Sequence, residues 1–250
     1  MKKISIIIVL LMGVFQLASA AVTKAQADKA YQEEKYADAI QMYETILQND
    51  GESADIYYNL GNSYYKNKNI AKAVLNYERA LLLNPGDADI RFNLEMAESK
   101  TVDQVTPKSE VFIKTWINNL INCMSEHGWA MTGIVTFILL LGCIALYIFG
   151  NRIVIKKIGF IAAIVFLVVT VCSNLFASHQ KDELVERHGA IVMSPSITVK
   201  STPNESGTDL FVIHEGTKVY IEDATMKEWR EIRLEDGKTG WLPASAIEVI

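Results

Sequence analysis

Two long apolar segments joined by a short basic one set the architecture of this 250-residue chain. Trp129–Phe149 and Ile158–Ala177 contain no Asp, Glu, Lys or Arg, while Asn151–Lys157 between them carries Arg152, Lys156 and Lys157. A helix needs about 20 apolar residues to cross a bilayer's hydrocarbon core. A backbone facing lipid must also satisfy its own hydrogen bonds. Membrane-spanning helices are therefore predicted over 128–150 and 158–178, since a soluble hairpin this apolar would need an unusually large core around it. Basic loops resist translocation. The loop 151–157 is expected in the cytoplasm, and both flanking soluble regions on the periplasmic side of an inner membrane.

The start of the chain predicts the same sidedness. Lys2 and Lys3 precede an apolar stretch, Ile4–Leu17, and Ala18-Ser19-Ala20 supplies small residues. This is the pattern of a secretory signal peptide over 1–20, cut after Ala20. An uncleaved anchor would leave the domains on the same side.

Composition narrows the chemistry. A formal net charge of −5 and a pI near 5.5 leave no basic footprint for nucleic acid. The three cysteines, Cys123, Cys143 and Cys172, lie in or beside the apolar segments, with no disulfide framework or metal-ligand spacing. The four histidines, His127, His179, His188 and His214, form no ligand pair, and no cysteine in a soluble region stands ready as a nucleophile. No glycine-rich phosphate loop is present. The expectation is a protein that is not an enzyme, with no cofactor and no metal.

The first soluble region, 21–100, is repetitive. Ala54-Asp55-Ile56 with Asn59-Leu60 recurs as Ala88-Asp89-Ile90 with Asn93-Leu94, an offset of 88 − 54 = 34 residues. Within Ala54–Asp87 the bulky and small positions fall in a fixed order: Tyr57, Leu60-Gly61, Tyr64, Ala73, Tyr77, Ala80 and Pro85. The period and this order resemble the tetratricopeptide repeat family. Gly61 and Ala73 let two antiparallel helices approach, and Pro85 stops the second. Shifting back by one period places Ala39 and Tyr43 on Ala73 and Tyr77, which predicts a degenerate first repeat over 22–50. Ala88–Lys100 supplies the first helix of a third and caps the array. The resemblance implies a concave face built by the first helix of each pair. Asp55, Tyr58, Asn62, Tyr65 and Lys66 are the candidates to line it and to bind a protein partner.

The segment 101–127 reads as a linker followed by an amphipathic helix. Thr101–Lys108 is polar and contains Pro107. In Ser109–Cys123, Val111, Phe112, Trp116, Ile117, Leu120 and Ile121 form a helical stripe. Two readings stay open: a helix lying on the outer membrane surface, or one that completes the third repeat by packing on Ala88–Lys100.

After Ala177 the pattern changes to short alternating stretches, and 188–250 reads as a small all-β domain. Strands are expected at Ala190–Val192, Ile197–Val199, Leu210–Val212, Lys218–Ile221, Trp229–Leu234 and Gly240–Leu242. Val199-Lys200-Ser201 with Pro203, then His214–Val219, Trp229, Asp236-Gly237-Lys238 and Gly240-Trp241-Leu242-Pro243 resemble the bacterial SH3-like family. The resemblance implies a small barrel with Trp229 and Trp241 covering one end. It also implies a binding surface of Trp229, Trp241 and Pro243. Ala246 stands where proline-binding relatives place a Tyr, and Ile191-Val192-Met193 replaces their early aromatic cluster. A protein ligand or cell-wall material is expected in place of a proline-rich helix.

The whole order of segments resembles the BatE-type proteins of the Bacteroides aerotolerance operons. That resemblance implies a non-catalytic membrane-tethered adaptor in a cell-envelope complex, working beside membrane proteins with von Willebrand A domains and linked to aerotolerance or stress. The competing reading is an envelope sensor whose SH3-like domain holds peptidoglycan while the repeats recruit a wall enzyme.

Overall fold

The computed structural model describes residues 22–105 and 112–250; the signal-peptide reading falls on residues outside these. Five helices come first: α1 Lys24–Gln32, α2 Tyr36–Asp50, α3 Ala54–Lys66, α4 Ile70–Leu83 and α5 Ala88–Glu98. They pack as α1 with α2, α3 with α4, and α5 against α4. Ala27, Ala30, Ala39 and Ala73 are all buried at these crossings. Gly61 is the tightest point, since a Cβ there would lie 2.7 Å from both Cδ1 and Cε1 of Tyr77.

The degenerate first repeat has the same backbone as the second. Glu34 and Lys68, one period apart, are the residues with positive φ in the two interhelical turns (61° and 64°). The turns close with the same bond, Lys35 N–H to the Ala30 carbonyl and Asn69 N–H to that of Tyr64. Asp87 caps α5 by accepting from the backbone N–H of Asp89 and Ile90.

A short helix, α6 Phe112–Ile121, leads into two long ones, α7 Glu126–Phe149 and α8 Ile153–Glu186. At 24 and 34 residues they run about 36 and 51 Å. Both are long and apolar enough to cross a membrane. Only 17% and 11% of their most apolar windows is buried within the chain. Their seam is held by paired hydroxyls of Thr136 and Thr170 at 2.8 Å and by Trp129 edge-on to Phe176 at 5.0 Å.

The boundaries differ from expectation. The loop 151–157 shrinks, because α8 begins at Ile153 and takes Lys156 and Lys157 into its first turns. Nothing in that stretch breaks a helix, and Gly150 and Arg152 mark the two ends. At its other end α8 continues beyond 178 through Ser178–Glu186 and stops at Arg187, which is left-handed with φ 42°.

The C-terminal domain has seven strands: β1 Gly189–Val192, β2 Ser196–Lys200, β3 Asp209–His214, β4 Lys218–Asp223, β5 Trp229–Arg233, β6 Thr239–Pro243 and β7 Ile247–Val249. Their order is β3-β2-β6-β5-β4-β1-β7, all pairs antiparallel. Ala190, Val192, Val199, Ile213, Val219, Ile232 and Leu242 bury one face in a single cluster. The expected barrel is not closed by hydrogen bonds, since β3 and β7 remain edges. At the β3 edge the His214 N–H goes to the Asp103 carboxylate and not to a strand.

Of the segment read as a linker, residues 101–105 form a strap. Val105 packs into the sheet's cluster. Asp103 accepts from His214 N–H at 2.6 Å, His214 Nδ1 at 2.9 Å and the Thr217 hydroxyl at 2.8 Å. The repeats and the sheet are also joined directly. Ile191 and Ile250 belong to the hydrophobic cluster of the repeats. Lys218 donates to Glu78, and Arg79 to Glu248 and the Val249 carbonyl. Arg187 forks onto Glu52.

Candidate protein-interaction groove

The first helices of successive pairs, α1, α3 and α5, touch one another, and a polar ladder that repeats with the chain joins them. Tyr43 donates its hydroxyl to Asp28 Oδ1 at 2.6 Å, and Asn59 Nδ2 reaches the same oxygen at 3.5 Å. One period later, Tyr77 donates to Asn62 Oδ1 at 2.8 Å, and Asn93 Nδ2 donates to it at 3.0 Å. The offsets agree: 62 − 28, 77 − 43 and 93 − 59 are each 34. Each rung ties the second helix of one repeat, the first helix of that repeat and the first helix of the next. Asn93 Nδ2 also reaches the Tyr58 hydroxyl at 2.9 Å.

Burial keeps these phenols as neutral donors. It raises the pKa of Tyr43, helped by the bond to Asp28. It does the same for Tyr77, helped by neighbouring Tyr58, Tyr31 and Tyr65. Tyr31 is raised by burial, then by Tyr36 and Tyr58.

The five predicted groove residues fall into two groups. Asp55 and Lys66 are exposed at opposite ends of α3. Tyr65 is half-buried against the repeat cluster. Tyr58 and Asn62 are half-buried too, but their polar atoms are engaged inside the ladder. They hold neighbouring repeats together. Asp28, Asn59 and Asn93 were missed. The signal that finds them is the 34-residue offset applied to Asn62 and Asn59 themselves.

On the sheet, Trp229, Trp241 and Pro243 come together on one face. Trp229 pairs with Pro243 and Glu231 with Trp241 across β5 and β6. Side chains alternate along a strand, and Ile232 and Leu242 point into the core. The two tryptophans and Pro243 therefore lie on the outward face, half-buried, not over the end of a barrel. Beside them, the Arg233 guanidinium stacks 4.9 Å from the Tyr220 ring and bonds Glu222.

A cleft of about 620 Å³ opens where α4, the end of α8 and the sheet meet. Three ion pairs take up most of its charged lining, Lys218 with Glu78, Arg233 with Glu222 and Arg187 with Glu52. Burial on its own would lower Lys218, but Glu78, Tyr220 and Glu235 outweigh it and hold the ammonium raised. The cleft is a joint between modules, and its groups serve that joint.

No curated protein matches the chain. Residues 54–87, which are α3, α4 and the turn after them, match the tetratricopeptide repeat model. That segment is a tetratricopeptide repeat, and its kind of helix pair mediates protein–protein interaction.

Proposed function

We propose that this chain is a non-catalytic adaptor tethered to the inner membrane, with its repeats and its SH3-like domain on the periplasmic side. It brings protein partners together through the repeat groove and through Trp229, Trp241 and Pro243. The observation that carries the reading is a tetratricopeptide repeat in a chain that also holds two helices long and apolar enough to cross a membrane. Sidedness rests on Arg152, Lys156 and Lys157 at the far end of the hairpin. The resemblance to BatE-type proteins suggests membrane proteins with von Willebrand A domains as partners, and a role in aerotolerance or envelope stress.

Co-purification from membranes tests this. Asp55→Lys with Lys66→Glu reverses both ends of the exposed groove face without touching the ladder. Capture of a von Willebrand A domain partner should fall, and unchanged capture refutes the groove assignment. Reporter fusions after Lys100 and after Ile250 should both report export. A cytoplasmic signal from either refutes the sidedness.

A further inference from the structure

We infer that α6 is an in-plane membrane contact, a third point of attachment beside the two spans, with the outer lipid headgroup and acyl boundary as its occupant. This rests on the proposal that α7 and α8 cross a bilayer.

The competing use of α6, as the missing second helix of a third repeat, fails on packing. The helix does not lie along α5. On a wheel turning about 100° per residue, Phe112, Ile113, Trp116, Ile117 and Leu120 occupy one continuous arc. All five are exposed, Phe112 to 81% and Trp116 to 60%. Lys114, Thr115, Asn118 and Asn119 lie on the remainder. A helix with a continuous apolar arc, a polar arc and an interfacial Trp is the kind that rests in a membrane surface.

The anchoring of α6 says what covers that arc. Its last carbonyl, on Ile121, accepts from the Trp129 indole at 2.7 Å and from Gln180 Nε2 at 2.9 Å. Gln180 also donates to the Met124 carbonyl at 2.8 Å. Trp129 opens the apolar segment of α7, and Gln180 lies one turn beyond the apolar segment of α8. The two clamps therefore fix the end of α6 at the level where both spans leave the hydrocarbon. Above it, the turn after α4 rests on the same junction, because a Cβ on Gly86 would lie 2.7 Å from the Cys123 carbonyl oxygen. The exposed apolar arc thus starts beside the end of the hairpin, at the level where its apolar surface ends, with the turn after α4 against the same junction.

The test uses the full chain in vesicles of mixed phosphatidylethanolamine and phosphatidylglycerol, with Cys123, Cys143 and Cys172 replaced by Ser. Single nitroxide labels are placed at Phe112, Trp116, Asn118, which lies opposite the apolar arc, and, in α7, Leu139. Accessibility to oxygen, which concentrates in lipid, is compared with accessibility to a water-soluble nickel chelate. Phe112 and Trp116 should favour oxygen several-fold over Asn118, as Leu139 should. If Leu139 favours oxygen while Phe112 and Trp116 favour nickel, the spans stand and the in-plane contact is refuted. If Phe112 and Trp116 are shielded from both and broadened by labels on a second copy, α6 is a dimer face and the inference is equally refuted. If Leu139 favours nickel, the membrane reading itself falls, and this inference with it.

Discussion

Gly61→Ala separates two opposed effects on one residue. In a helix interior, Ala is favoured over Gly by about 1 kcal/mol, so local propensity alone says the change stabilises. Packing says the opposite. The new Cβ would stand 2.7 Å from two Tyr77 ring carbons, where carbon atoms rest at about 3.5–4.0 Å. The ring must retreat by close to an ångström. It is 1% exposed, and its hydroxyl is tied to Asn62 at 2.8 Å, so it has nowhere to go without breaking the ladder. Overpacking costs about 1–3 kcal/mol, and the lost hydrogen bond about 1 more. The packing side wins, and the expected net loss is about 1–3 kcal/mol. Native-state hydrogen exchange of α3 and α4 amides in the detergent-solubilised full chain reads this locally. Tyr77→Val should make Gly61→Ala cheaper, giving a coupling of about 1 kcal/mol or more in a double-mutant cycle. Unchanged or greater protection in Gly61→Ala, or strict additivity with Tyr77→Val, refutes the close crossing.

Tyr77→Phe keeps the ring and removes one rung of the ladder, so it should cost about 1 kcal/mol in the same exchange measurement. Asp103→Ala strips the strap from His214 and the buried Thr217 hydroxyl; a loss of about 1–3 kcal/mol is expected, seen as faster proteolysis between Lys100 and Phe112. The bonds from His214 and Thr217 overcome the effect of burial and hold the Asp103 carboxyl below its ordinary value. Its contribution is therefore complete above about pH 4 and is lost as pH falls through the lowered value. Glu98 behaves in the opposite sense, pushed up to about 7 by burial and by Glu78, with Lys218 opposing. The folded state holds that proton more tightly, so stability should fall as pH rises from the ordinary carboxylate value of 4.5 to about 7. Glu98→Gln should flatten that slope in pH-dependent thermal melts, and a slope left unchanged refutes the assignment.

Much of the architecture is legible because it follows from period. The 34-residue offset marks both repeats, and the apolar lengths mark both long helices. The alternation after Ala177 marks six of seven strands, close to their observed ends. The strand that escapes, Ile247–Val249, is three residues long and has no alternation to read. The strap escapes for another reason: Asp103 and Val105 look like linker residues until the partners of Asp103, 111 and 114 residues away, and the sheet cluster around Val105 are known. Tyr58 and Asn62 show the same limit at the groove. Spacing puts them on the right helix face, but whether a polar atom is free depends on Asn93 and Tyr77, which only the packed structure brings to them.

The joint between the modules changes how two binding surfaces on one chain would act. A flexible linker lets each surface find its own ligand, and the gain from linking is set by the linker's length. Here the surfaces are not free to search. Ile191 and Ile250 are buried in the repeat cluster, Val105 is packed in the sheet's, and Lys218 is bonded to a Glu78 that is itself buried. Removing 190–250 would strip the outer side of α4 and leave Glu78 without its ammonium, and breaking a buried pair this way costs about 3–5 kcal/mol. Loss of binding after such a deletion would report damage to the repeats as well as loss of the sheet. Point changes on outward side chains keep the joint intact, so they alone separate the contribution of one surface from that of the other. A partner that engages both must present two epitopes at one fixed separation, because the joint holds the groove and the tryptophan face in one orientation.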